Sequence, residues 1–310
     1  MVDLPKLDYQ AAVKDPEWGA QVFRQAMQDP GFLFLHNVPG YDSAELRRWT
    51  HWFFKELSEE ERAMLAARPY RGFIAANEDA SSSYKDLYEI GGLDESAEDR
   101  FLLLDATPFP KSKPEFASFM RSYYRSMSEV ALNLLKMLVP GEQEWLKHFE
   151  QTPLSTLRLI RYPIRKGDIP DGLVEGGQRL LCQNHTDGGF VTLLAEGGYV
   201  PVECSEEGLF VNIGDLLASL LGGGVKATRH RVVDHGEERF SVPFFLEPDP
   251  FMELEIGGCR KSYGIQVLEK ATMFFEHAQL LAVAKADPRY KDLPSFRDAH
   301  PITPEEHAAL

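Results

Sequence analysis

The sequence predicts an α+β chain, with a helical N-terminal part packed on a β-sandwich or jelly-roll core. Three observations predict it. Up to about residue 150 the longer apolar patterns have helical spacing, as in Phe116 to Val139. From Leu154 onward short β-rich runs follow one another between Gly, Asp and Pro. Within Ile265–Ala284 the pattern returns to helix.

In chain order, a helix-like stretch at Trp18–Gln28 precedes a strand candidate at Gly31–Leu35. Asp42 or Ser43 can cap a helix on which Leu46, Trp49 and Phe53 repeat. Ser58-Glu59-Glu60-Glu61 has the capping-box pattern of a second start. Arg68–Gly92, rich in Ala, Ser, Gly and Asp, is expected to be loop. A long helix follows over Phe116–Val139, with Phe119, Tyr123, Val130, Leu134 and Leu138 on its apolar face and Pro140-Gly141 as its stop. The strand candidates are then LRLIRYP, RLLCQNHTD, FVTLL, YVPVE, LFVNI, HRVVD, RFSVPFFLE and MELEI.

The 310 residues, 44% of them hydrophobic, can bury a sizeable core. A net charge of −15 argues against nucleic acid or an anionic membrane as partner, since both need a basic footprint. Cys182, Cys204 and Cys259 fit neither a zinc motif nor a disulfide framework, so a reducing interior, most simply the cytoplasm, is expected. The N-terminal residues lack the pattern of a secretory signal, and no run of about 18 uncharged apolar residues predicts a membrane helix.

His185-Thr186-Asp187 falls in a β run, where alternation brings His185 and Asp187 out on one face and turns Thr186 away. His230, on a later strand candidate, can supply a third ligand. Two imidazoles and one carboxylate make a facial triad for iron(II), leaving positions open for a bidentate cosubstrate and dioxygen. An H-x-D alone is weak, because a strand histidine beside a threonine is more often a hydrogen-bonded core residue. The other histidines show no comparable arrangement.

Arg239 and Ser241 share a strand face in ERFSVPFF, where a guanidinium fork and a hydroxyl suit a carboxylate. The competing reading is a surface arginine paired with Glu237 or Glu238. Arg158, Ile160 and Tyr162 alternate onto one face, as do Gln183 and His185. Arg158 suits a substrate carboxylate or a structural salt bridge; Gln183 suits a triad partner or the pocket wall. Tyr70, Arg71 and Phe73 read as a lid or as loop packing, and Phe244 and Phe245 as core.

Together these motifs resemble the isopenicillin N synthase-like branch of the iron(II)/2-oxoglutarate-dependent dioxygenase superfamily. The residues that carry the likeness are His185-Thr186-Asp187 with Thr192-Leu193-Leu194, Val211-Asn212-Ile213-Gly214-Asp215-Leu216, Lys226 to Val233 around His230, and Arg239 to Phe245. Leu157 to Pro163, Gly31 to Asn37, Tyr70 to Phe73 and Lys85 to Gly91 extend it over most of the chain. The resemblance implies a distorted double-stranded β-helix (jelly roll) core with a helical N-terminal part and a C-terminal helix. It implies iron(II) held by His185, Asp187 and His230, and 2-oxoglutarate gripped by Arg239 and Ser241 with Tyr162 beside them. Substrate contacts are expected from Arg158, Gln183, Tyr70, Arg71 and Phe73. The chain then divides into an N-terminal region (1–110), a helical connection (111–153), a dioxygenase core (154–250) and a C-terminal strand and helix (251–310). Two departures stand out: the stretch from Val202 to Val211 is short for the family, and Arg229 precedes the second histidine ligand.

The implied activity is oxidation of a small organic metabolite, amino-acid-derived or carboxylated on the strength of Arg158, by hydrogen abstraction with release of succinate and carbon dioxide. Hydroxylation, desaturation and ring closure all remain open. So do two alternatives: an oxidase of the same branch that uses no 2-oxoglutarate, and a non-catalytic β-sandwich binding protein.

Overall fold

A computed structural model describes residues 4–297, apart from 68, 78–79, 81, 152, 196–206, 223, 257–258 and 274–277. The YVPVE strand candidate, Cys204 and half of the shortened Val202–Val211 stretch lie outside the described residues.

The strands are β1 (Lys6–Asp8), β2 (Leu33–His36), β3 (Gly72–Ile74), β4 (Asp86–Ile90), β5 (Thr156–Tyr162), β6 (Val174–Glu175), β7 (Gln178–His185), β8 (Val191–Ala195), β9 (Gly208–Ile213), β10 (His230–Val233), β11 (Arg239–Leu246), β12 (Glu253–Ile256) and β13 (Cys259–Ser262). Eight form one sheet in the order β1-β2-β9-β8-β11-β5-β4-β3, and β10-β7-β6 form a smaller one. Leu87, Ile160 and Tyr162 of the large sheet bury against Leu181, Cys182 and Val232 of the small one. The sheets therefore close on each other, giving the jelly roll that the strand pattern predicts. The N-terminal region is not a separate layer, because β1 to β4 belong to the same large sheet as the core strands.

Helices pack on the outer side. Asp8 caps α1 (Tyr9–Lys14) and Asp15 caps α2 (Pro16–Gln28), whose proline sits at the first helical position. Asp42 caps α3 (Ser43–His51), which runs on into a π-helical turn at Trp52–Glu56. Ser58 caps α4 (Glu59–Met64) through the Glu61 N–H, 3.1 Å away. The reciprocal arm of the capping box is replaced, since Glu61 accepts instead from the N–H groups of Lys111 and Ser112. The long helix α5 (Pro114–Leu138), followed by the single turn α6 (Gln143–Leu146), supports the sheet: Tyr124 donates to the Ser155 carbonyl at 2.9 Å and meets Phe244 edge-on. Phe53 stacks between Tyr88 and Phe116, tying the N-terminal helices to β4 and α5.

Two expectations are corrected here. Arg68–Gly92 is not all loop: it contains β3 and β4, and β4 pairs with β5 residue for residue. β4 is buried throughout and its charged residues are neutralised in place, Glu89 by Arg158 and Asp86 by Arg161, so its polar letters hide a central strand. The strand expected at Gly31–Leu35 is β2, and it begins at Leu33, because Gly31 turns the chain at a φ of +90°.

Arg71 is also corrected. Instead of joining a lid, its side chain is buried, donating to Thr156 Oγ1 and to the carbonyls of Leu154 and Ser155. Asp105 holds this turn from the other side by accepting from the Tyr70 and Arg71 N–H groups at 3.0 and 2.6 Å.

Burial pushes the Asp105 carboxyl up to about 6 from an ordinary 3.8, against the pull of Arg71 and the backbone donors. Because the folded value is the higher one, its stabilising contribution is complete below about pH 4 and is lost as the pH rises through 6. Asp105→Asn keeps an acceptor but not the titration. Denaturant unfolding at several pH values should show wild type losing up to about 3 kcal/mol relative to the variant between pH 4 and 7. A gap independent of pH contradicts this.

Candidate metal centre

β7 ends at His185 and β10 begins at His230, and these two residues face each other in the antiparallel register. Their ring centroids are 4.3 Å apart. Asp187 lies just past the end of β7, not inside the strand as the alternation suggests, and its Oδ1 is 3.8 Å from His230 Nε2. One ligand atom from each of the three residues lies within 4.8 Å of the others.

Each ligand is aimed by a neighbour. His185 Nδ1 is 2.8 Å from the Gln183 carbonyl and His230 Nδ1 is 3.1 Å from the Thr228 carbonyl. A carbonyl only accepts, so both Nδ1 atoms carry a proton, and the Nε2 atoms are the ones left to ligate a metal once deprotonated. Asp187 Oδ2 accepts from Thr192 Oγ1 and Asn212 Nδ2, each at 2.7 Å, leaving Oδ1 to ligate. The backbone at Asp187 is pinned too: its carbonyl accepts from the Asp215 N–H, and Thr186 Oγ1 donates to Asp215 Oδ2. Asp215 opens α7 (Asp215–Leu221). Arg229, the departure noted in the sequence, donates to the Asn184 carbonyl at 3.0 Å and so ties β10 to the end of β7. Behind His230, Thr228 Oγ1 donates to the Gly31 carbonyl; a Cβ at 31 would overlap that hydroxyl, so only glycine fits.

Burial disfavours the charged form of both imidazoles. At His230 burial prevails and its pKa is lowered. At His185 burial is outweighed by Cys182, the Gln183 carbonyl and Asp187, which together leave it raised to about 9. Two imidazoles and a carboxylate, with Cys182 Sγ on the Nδ1 side of His185 rather than among the ligand atoms, form a donor set that fits iron(II).

The centre opens on a cavity of about 580 Å³ between the sheets. Tyr162, Ser241, Arg158, Gln183 and Tyr70 line it. Arg239 stands behind this wall, its guanidinium carbon 5.9 Å from the Tyr162 ring, and burial pulls its pKa down to about 10. Glu238, one of the two acids of the competing surface pairing, is bound instead by Lys55 and Arg161. Arg158 donates through Nε to the buried Glu89 at 2.7 Å. Arg71 and Phe73 do not line the cavity; Phe73 packs on Phe53 beneath Arg62. Phe244 is core, whereas Phe245, also expected there, lies on the cavity wall under Arg158.

Sequence reasoning assigned no role to Thr192 or Asn212. Their signal was available: each is the polar residue of an otherwise apolar strand. Thr192→Val and Asn212→Leu preserve shape but free one oxygen of Asp187. Each should weaken anaerobic iron(II) binding by about 10–100-fold, read by titration. Unchanged affinity in both contradicts the assignment.

Comparison with known proteins agrees with this geometry. The family model described as the 2OG-Fe(II) oxygenase superfamily matches residues 177–248, which carry all three ligands, Arg239 and Ser241. The isopenicillin N synthase of Flavobacterium sp. is 27% identical over 250 residues, covering 71% of this chain and 76% of its own. The 2-oxoglutarate-dependent dioxygenase thnC of Trichoderma harzianum is 27% identical over 277 residues, covering 81% and 86%. The crystal structure of a full-length Neurospora crassa protein in complex with alpha-KG superposes with a TM-score of 0.67 at 21% identity, covering 86% of this chain and 95% of its own, and shares the fold. With its double-stranded β-helix and intact ligand set, this chain is similar to these proteins, and its segment 177–248 matches the 2OG-Fe(II) oxygenase superfamily.

Proposed function

We propose that this protein oxidises a small organic metabolite while converting 2-oxoglutarate to succinate and carbon dioxide. The observation that carries the reading is one cavity that joins the triad to Ser241 and Tyr162, with the Arg239 guanidinium carbon 5.9 Å from the Tyr162 ring. When bound, iron(II) and 2-oxoglutarate supply dioxygen activation and the power to remove a substrate hydrogen. The chain supplies orientation. Arg239 and Ser241 hold the distal carboxylate, and Thr192 and Asn212 keep Asp187 presented through one oxygen. The mainly apolar cavity wall, including Leu87, Ile160, Leu194, Phe210 and Phe245, shelters the reacting carbon from water. Hydroxylation, desaturation and ring closure are all compatible with this arrangement. The Arg158–Glu89 pair removes the ground for expecting a carboxylated substrate.

Among the described residues no helix is long and apolar enough to cross a membrane. A cytoplasmic setting is part of the proposal, resting on the cysteine pattern.

Aerobic assays with iron(II) should show 2-oxoglutarate consumed and succinate formed. Asp187→Ala should abolish both iron binding and succinate formation. Arg239→Met should raise the KM for 2-oxoglutarate by about 10–100-fold, the loss of a charged hydrogen bond. Succinate at the wild-type rate from Asp187→Ala would sink the reading. Substrate oxidation without succinate would favour an oxidase in which Arg239 and Ser241 grip the substrate itself.

A further inference from the structure

The cavity has a second polar end to which the chemistry above gives no role. Along β11 the residues on the cavity face are Ser241, Pro243 and Phe245, and one step past the strand end comes Glu247. At roughly 3.4 Å per residue, Glu247 is about 20 Å along the chain from Ser241, so a five-carbon diacid held at Ser241 does not reach it. Helix α8 (Tyr263–Met273) closes over this end. It brings Tyr263, Gln266, Val267 and Lys270 onto the cavity wall at the i, i+3, i+4 and i+7 positions of one face. Tyr263 OH and Glu247 Oε1 both lie near Gly189, two residues past the ligand Asp187, so this end adjoins the metal centre.

Two acceptors here are buried and receive no hydrogen bond from the described residues: Glu247 Oε2 and Gln266 Oε1. Such atoms are costly unless something donates to them. Tyr263 shares a hydrogen bond with Glu247, and Arg158 is engaged with Glu89. A single ligand atom that satisfies two acceptors must carry two hydrogens to donate, as an amine or ammonium nitrogen does. A hydroxyl has one donor. A carboxylate has none.

Resting on the function proposed above, we propose that this end of the cavity binds an amine nitrogen of the organic substrate, with Glu247 Oε2 and Gln266 Oε1 as its acceptors. The apolar wall between them and the triad, formed by Phe245, Leu216 and Val267, takes the hydrocarbon part and points it toward the metal centre. Burial holds the Glu247 carboxyl up at about 7, against the pull of Arg71 and Arg158. An ammonium beside it reverses that, so amine affinity rises with pH through 7 while the amine stays protonated.

The test is calorimetric binding under anaerobic conditions at pH 8, with and without iron(II) and 2-oxoglutarate. The probes are hexylamine and 4-phenylbutylamine, each with its matching alcohol and carboxylic acid. The expected result is that each amine binds at least about tenfold more tightly than its alcohol, with the acid weakest. Glu247→Gln and Gln266→Leu should each reduce that preference, Glu247→Gln by about tenfold or more, while thermal unfolding shows both variants folded. Amines that bind no better than alcohols, or do not bind, overturn the proposal, as does a preference that survives Glu247→Gln. Succinate formation without amine preference would sink this inference alone. Amine preference without iron binding or succinate would sink the proposed function and leave this site standing.

Discussion

The pairing of His185 with His230 at the end of the β7–β10 ladder is the constraint on which the rest of the site depends. It brings two imidazoles together from segments far apart in the chain, with a backbone carbonyl two residues behind each to fix the ring orientation. Everything else around the centre serves to bring one carboxylate oxygen to that pair. Asp187 lies beyond the strand, where regular pairing no longer holds it, and side chains from β8, β9 and the start of α7 do so instead. A metal site built this way depends on the large sheet as much as on the strands that carry its ligands.

β11 organises the cavity. Its inward face starts at Ser241, two residues from Arg239, passes through Pro243 and Phe245, and ends at Glu247. Because alternate residues share a face, one strand carries both polar ends of the cavity without any insertion. On β5 the same alternation lays Arg158, Ile160 and Tyr162 against it, and β4 then pairs Arg158 with Glu89.

What was legible in the sequence followed from local rules. Period-two alternation placed His185, Ser241 and Tyr162, and helix caps at Asp42 and Ser58 are where the letters put them. What was illegible depended on partners distant in sequence. β4 reads as loop because Asp86 and Glu89 look solvent-facing until Arg161 and Arg158 of β5 are seen beside them. Arg71 looks like a flexible loop residue until the carbonyls around 154 and 155 enclose it. Glu247 has no signal at all, since it lies past a strand end and its neighbours arrive from a helix formed later in the chain.

The central claim is that this centre keeps adjacent positions open for a 2-oxo acid chelated beside the three protein ligands. The anaerobic visible spectrum tests it most directly. Adding 2-oxoglutarate to the iron(II)-loaded protein should produce a metal-to-ligand charge-transfer band that saturates at one equivalent per chain. A protein that binds iron(II) at His185, Asp187 and His230 yet gives no such band would contradict the account.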